Sequence, residues 1–262
     1  MNIGESILVA VEGIVANKMR AALTMLGVII GVGAVITMLA LATGARERMM
    51  NSIQSMGTNV LIVMSGRSQR GGVSGGFGSS QRLTLEDADA ILKDCPSIDA
   101  VAPESGGNAQ VKYKNQNTNT SITGTTPSVQ GIRNYQVQEG RFFTDGEVKS
   151  LKRVAVIGPT TATTLFGAVS PVGKTIRIRG MQFEVLGLLA SKGAQGFNDQ
   201  DDTIMIPVTT AMKRVFGTQN IRMISAQAKS MKLMDQASQE IGNLLRKRYN
   251  IAAGSDEDFN VR

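Results

Sequence analysis

The sequence predicts an α+β protein, with one N-terminal transmembrane helix followed by a two-lobed extramembrane domain. Three observations carry this. Ala21–Thr43 contains no charged residue over 23 positions, and about 20 apolar residues cross a bilayer core as a helix. Downstream, short runs of alternating or β-branched residues are interspersed with runs at helical spacing. Those runs lack the regular strand–helix beat of a doubly wound sheet, and their number suits two small lobes, one inserted in the other.

The elements follow in order. Ile3, Ile7, Leu8, Val11, Ile14 and Val15 recur at helical spacing, with Glu5, Glu12 and Asn17 at other angles. Residues 1–20 therefore read as an amphipathic helix on the membrane surface, or as a plain extension of the span. Residues 21–43 are the span. Lys18 and Arg20 before it and Ala40-Leu41-Ala42 within it resemble a secretory leader. Leader cores, however, run about 7–15 residues, so the span is read as retained. Lys18 and Arg20 balance Arg46 and Arg48, so charge alone sets no orientation. Gly27 and Gly31 form a G-x-x-x-G with Gly33 close by. Small residues four apart let helices pack closely. Glycine is also common in membrane helices, and both readings stand.

Ala45–Ser55 continues as a helix until Gly57 breaks it, and Asn59–Met64 (NVLIVM) suits a buried strand. Residues 65–80 are rich in glycine and serine without periodicity and read as a mobile loop. Thr84 caps a helix with acids in its first turn, which Pro96 ends. Strands are expected at Ile98–Ala102, Ala109–Lys114 and Thr118–Thr123, with KNQNTN as a hairpin loop, and at Arg153–Ile157. Thr160–Phe166 reads as a short helix. Lys174–Arg179 and Gln182–Leu189 form a hairpin turning at Gly180. Ser191–Asp202 is a loop, Thr203–Ile206 a strand, Val208–Phe216 a helix and Ile221–Ala228 a strand. Met231–Arg248 is the longest extramembrane helix, and Asp258–Val261 opens a last strand.

Residues 168–175 (AVSPVGKT) fit the loose phosphate-loop pattern [AG]-x4-G-K-[ST]. A phosphate loop needs a helix whose first N–H groups hold the anion. Here strand signals follow Thr175, Ala168 replaces glycine and Pro171 stiffens the loop. The stretch reads as a turn before a hairpin, and the chain is expected to bind no ATP. There are no histidines, which removes histidine-based nucleophile arrangements and zinc sites. Cys95 has no partner thiol and no visible base, and reads as a buried, inert thiol. Asp199, Asp201 and Asp202 lack the glycine and distal glutamate of a calcium loop and read as a solvated acidic loop. Net charge is +7, yet Arg246-Lys247-Arg248 is the one compact basic run and suits a helix C-terminus. Nucleic acid is not an expected partner. No catalytic constellation emerges, no metal or cofactor is expected on this chain, and an enzyme is the least supported class.

Five stretches then resemble MacB-type permeases of the MacB/FtsX superfamily. They are NKMRAALTMLGVIIGVGAVITMLALATGA, IQSMGTNVLIV, LTLEDADAI, VAVIGPTTATTLFGAVSPVGKTIRIRGMQFEVLGLL and DDTIMIPVTTA. They lie in the family's order over nearly the whole chain. The resemblance implies a bacterial inner-membrane location, an N-in span and a two-lobed periplasmic domain. It implies a porter-like α/β lobe at 44–120 and 202–262, and a mostly β inserted lobe at 121–201. It also implies a homodimer, or a heterodimer with a related permease. The expected partners are membrane lipid, an ABC ATPase subunit that holds the ATP, a periplasmic adaptor and an outer-membrane channel. ATP-driven closure would be carried outward along stiff helices such as Ala21–Ser55. Efflux of drugs or peptides and lipoprotein release are the family's roles. Members continue past a DF-containing segment, like Asp258-Phe259 here, into three more spans. A longer natural chain or a split gene product is therefore expected. The alternative is a membrane-tethered periplasmic interaction domain acting without an ATPase.

Overall fold

A computed structural model describes residues 4, 9, 12–13, 15–55, 59–65, 69–70, 73–74, 83–195, 198–251 and 259–261. The chain divides into two compact units, Met1–Ile53 and Gln54–Arg262. The first unit is dominated by α1, Lys18–Ser55, a helix of 38 residues. Half of the residues of the surface helix expected over 1–20 lie outside the described residues.

The second unit follows the chain as β1 (Val60–Ser65), β2 (Gln69–Arg70), β3 (Val73–Ser74), α2 (Leu85–Asp94), β4 (Ile98–Tyr113) and β5 (Gln116–Thr125). Next come α3 (Val129–Ile132), β6 (Val137–Gly140), α4 (Asp145–Lys149), β7 (Val154–Ile157), α5 (Pro159–Phe166), β8 (Thr175–Ile178) and β9 (Met181–Leu189). Then β10 (Ala194–Gln195), β11 (Asn198–Asp199), β12 (Thr203–Pro207), α6 (Val208–Thr210) and a π-helix at Ala211–Phe216 follow. The chain closes with β13 (Met223–Ala228), a 3-10 turn at Met231–Leu233, α7 (Met234–Tyr249) and β14 (Phe259–Val261).

Ten of these strands join one mixed sheet in the order β14-β1-β13-β4-β5-β12-β7-β9-β6, with β8 bridging β4 and β9. Most pairs are antiparallel, while β12 runs parallel to β5 and β7 parallel to β9. The parallel pairs lie in the buried centre. That is why VAVI and TIMIP are apolar almost throughout instead of alternating. Val154 and Val156 enter one core with Met205, Phe142, Phe143 and Val208, while Ala155 and Ile157 enter a second with Phe183, Leu165 and Ile204. At the β14-β1-β13 end, Ile91 of α2 and Ile241 and Leu245 of α7 join the first core. Ala237, Ile241 and Leu245 form the buried face of α7.

Several elements differ from expectation. The two strands expected at 98–102 and 109–114 are one strand of 16 residues. The hairpin turn is only Lys114-Asn115, with Lys114 at φ 50°. Four of the residues assigned to the loop KNQNTN, Gln116–Asn119, pair in β5, because a two-residue turn with a left-handed residue suits the strands' twist. The helix expected at 208–216 is a short α turn that passes into a π-helix. The loop at 191–202 contains a two-residue ladder, Ala194–Gln195 with Asn198–Asp199. Much of the glycine-rich 65–80 lies outside the described residues, which include a small β2–β3 ladder. The lobe boundaries expected at 120/121 and 201/202 fall inside β5 and just before β12, and the sheet runs on across both.

Candidate functional site

Two features of the fold bear on function, one in each unit. The first is α1. Lys18–Glu47 is long and apolar enough to cross a membrane, and its apolar window is wholly unburied. Leu23, Ile29 and Met38 are 63%, 68% and 75% exposed. A water-facing helix would hide such side chains, and a lipid-facing one need not. The polar side chains within it are satisfied locally. The Thr24, Thr37 and Thr43 hydroxyls donate to the carbonyls of Arg20, Gly33 and Leu39 at 3.0, 2.7 and 2.8 Å. Hydrocarbon demands this, since no water is there to accept the bond. Gly27 and Gly31 fall on one face, and Gly33 lies roughly 120° around the helix from Gly27. A Cβ added at any of the three meets nothing within 4 Å.

The second feature is the point where β4 changes partners. Through Glu104 it pairs with β13, and from Ser105 it pairs with β5. Space for the crossing depends on glycine. A Cβ on Gly106 would stand 2.0 Å from the Ile122 carbonyl oxygen, and one on Gly124 would stand 2.2 Å from Ala211 Cβ. A cleft of about 180 Å³ opens here, lined by Glu104 and Arg222 with Ser105–Gly107 of β4 and Ser121–Thr123 of β5 among others.

Beside it runs a polar network. Ser225 Oγ donates to Glu104 Oε1 at 2.9 Å, and Arg133 Nη2 meets that oxygen at 3.1 Å. Arg133 Nη2 also donates to Ser225 Oγ at 2.9 Å. Lys192 donates to the Arg133 carbonyl and sits 4.0 Å from the Tyr135 ring centroid. Burial, with Arg133 nearby and Asp201 opposing, pushes the Lys192 ammonium down to about 8. Burial likewise raises the Tyr135 phenol. These groups come from β4, β13 and the loops after α3 and β9. Nothing local in the sequence marks them as neighbours.

A third group ties α2 to the end of α7. Asp87 accepts from Arg248 Nε at 2.7 Å, from the Tyr249 hydroxyl and from the Thr84 backbone at 2.9 Å. Burial works to raise its carboxyl. The bonds from Tyr249, Thr84 and Arg248 outweigh that and hold it below the ordinary range.

At 168–175 the chain makes turns and enters β8, and Gly173 N donates to the Val185 carbonyl at 2.8 Å. The N–H that a phosphate loop would aim at an anion is thus engaged by the hairpin. Cys95 is buried at the C-cap of α2, and burial, with Glu240 and Asp94 near, pushes its thiol up to about 11. That fits an inert group. The acidic loop is a correction. Asp201 is 7% exposed and accepts from Ser191 Oγ and from the backbone N–H of Lys192 and Gly193 at 2.8 and 3.1 Å. Asp202 Oδ1 accepts from Thr120 and Thr161 at 2.7 and 2.9 Å. Asp201 thus closes the loop on itself, and Asp202 fastens it to β5 and α5. Among the described residues no group of His, Cys, Asp and Glu is placed to hold a metal.

The family model described as the MacB-like periplasmic core domain matches residues 21–244. The chain belongs to the MacB-like periplasmic core domain family. The relatives are consistent. "Macrolide export ATP-binding/permease protein MacB" of Bdellovibrio bacteriovorus is 39% identical over 251 residues, covering 95% of this chain and 39% of the relative. The protein of that name in Chlorobaculum tepidum is 40% identical over 253 residues, covering 97% and 39%. The chain spans about two fifths of the length of these relatives. Among solved structures, the periplasmic region of MacB from Actinobacillus actinomycetemcomitans has a TM-score of 0.66 at 20% identity, covering 80% of this chain and 91% of that one. The extracellular domain of the noncanonic ABC-type transporter YknZ from Gram-positive bacteria has a TM-score of 0.63 at 23% identity, covering 78% and 100%. These two share the fold. The chain is thus a MacB-like permease domain, α+β in its second unit and membrane-anchored through α1.

Proposed function

We propose that this chain is part of a permease subunit in a bacterial ABC-type export or mechanotransmission system of the inner membrane. The observation that carries the reading is a single family match running through both units, from the start of the apolar span to α7. In this reading Lys18 lies on the cytoplasmic side and the second unit is periplasmic. The β14-β1-β13 end with α2 and α7 is the porter-like lobe, and the strands around β5, β7 and β9 belong to the inserted lobe. A separate ATPase subunit binds and hydrolyses ATP, and this chain performs no catalytic step. The span carries that movement to the periplasmic unit, which works against an adaptor and an outer-membrane channel. Efflux of drugs, peptides or lipoproteins is the output. Gly27, Gly31 and Gly33 are the places where the span would meet a second permease helix, in a homodimer or a heterodimer. The remaining surface of the span contacts lipid.

The test is to purify the natural gene product from its own membranes in mild detergent and identify what comes with it. An ABC ATPase, whose hydrolysis rate changes when the permease is removed, is the expected result. Recovery of the protein without any ATPase, under conditions that keep other ABC complexes whole, would leave a membrane-tethered interaction domain as the better reading.

A further inference from the structure

A cleft of about 380 Å³, lined by Leu151, Arg153, Met181 and Arg214, opens between the turn before β7, the start of β9 and the π-helix. Its volume lies in the range of small-molecule sites, roughly 300–1,000 Å³. The lining has an unusual charge pattern. Two exposed arginines, Arg153 just before β7 and Arg214 on the π-helix, line one cleft, and no acidic residue is among its lining residues. Among the described residues neither arginine side chain has a carboxylate or hydrogen-bond partner. Two cations beside one cleft make it favourable for an anion. An arginine fork matches the paired oxygens of a phosphate or carboxylate, which a lysine does not. The other two lining residues, Leu151 and Met181, are apolar and half-buried.

The walls are fixed from several sides. Thr210 Oγ1 donates to the Lys152 carbonyl at 2.9 Å, and Lys152 N donates to the Glu147 carbonyl at 3.1 Å. Leu151 is held at φ 51°. Arg179 donates from Nη1 to the Val215 carbonyl at 2.9 Å and lies 5.7 Å from the Phe216 ring centroid, pinning the π-helix that presents Arg214. The π-helix at Ala211–Phe216 adds a second pointer, since such irregular turns recur at functional sites.

We propose that this cleft binds an anionic amphiphile. An oxyanion sits between Arg153 and Arg214, and an apolar portion lies on Leu151 and Met181. The proposal stands independently of the export reading.

The experiment is calorimetric titration of the full chain in lipid nanodiscs, with empty nanodiscs as the blank. The probes are hexyl phosphate, hexanoate and inorganic phosphate. At least one hexyl probe is expected to bind about 10-fold more tightly than inorganic phosphate, from burial of two or three methylenes. Which of the two binds more tightly identifies the head group as phosphate or carboxylate. Arg153→Ala and Arg214→Ala should each weaken that binding about 10-fold. Arg153→Lys and Arg214→Lys should recover part of the loss. Arg177→Ala, an exposed cation on β8, should leave affinity unchanged, and the thermal midpoint of every variant should match the parent. Three results overturn the proposal: no binding of either hexyl probe at about 5 mM, hexyl affinity no greater than that of inorganic phosphate, or affinity indifferent to both arginines.

Discussion

Ala21–Thr43 and Val154–Ile157 are both apolar runs without charge, yet they end in opposite surroundings. Ile29 in the span is 68% exposed, while Val156 and Ile157 in β7 are 0% exposed. The difference lies in what each run can satisfy by itself. A helix closes its backbone hydrogen bonds internally and can offer every side chain to lipid. A strand of four residues must borrow its bonds from β9 and β12, and so comes with a protein core on both faces. Length and helical closure, more than composition, decide whether an apolar segment takes lipid or protein as its solvent.

The largest expected effect tests this contrast directly. Val156→Asp places a carboxylate where nothing can pair it and should destabilise the second unit by about 4 kcal/mol or more. Ile29→Asp should leave the melting of that unit unchanged but release the chain from membranes on alkaline extraction, since aspartate at a helix centre costs about 3 kcal/mol. Equal melting shifts for the two would break the comparison. Glycine gives the next effect. Gly106→Val drives a side chain into the Ile122 carbonyl and should cost about 3 kcal/mol in denaturant unfolding. Gly27→Val should not alter that unfolding, and is expected to lower energy transfer between labelled spans in a bilayer.

Asp87→Asn should cost about 2 kcal/mol at neutral pH, because Arg248 and Tyr249 lose an ionised acceptor. The pH dependence has a definite sign. The native carboxyl is held below its unfolded value, so its contribution is complete above the unfolded value and vanishes as pH falls through the native one. Thermal midpoints followed down from pH 7 should fall less steeply in the variant. The smallest effect is expected at Lys192. Its ammonium is pushed down to about 8 from 10.5, so between those values the unfolded chain holds the proton more firmly and stability should rise with pH. Lys192→Met should flatten that rise in chemical unfolding measured across the window.

Much of this architecture can be read from local pattern. The span, the buried strand in NVLIVM, the hairpin turning at Gly180 and the capped helix after Thr84 each carry enough consecutive residues to show their period. The short elements do not. Val129–Ile132, Val137–Gly140 and Asp145–Lys149 hold too few residues to show a period. Strand β4 joins the two strands expected at 98–102 and 109–114, and Gly106 lies between them. Gly106 is there for close approach of the neighbouring backbone, not for a turn. Asp201 reads as solvated from sequence because its acceptor role depends on the shape of the loop it closes. The Glu104–Arg133–Ser225 group joins residues as far as 121 apart in sequence. Arg153 and Arg214 likewise lie on separate elements, and no spacing rule connects them.

Strand β4 has one further consequence. It borders β13 up to Glu104 and β5 from Ser105 onward, without a break in the chain between them. A slip of one residue would reverse the facing of its side chains along the whole length. Val101 and Val111 would then turn out of their separate cores together. Neither end can therefore misalign alone, and an error that begins at one edge of the sheet is rejected by packing at the other.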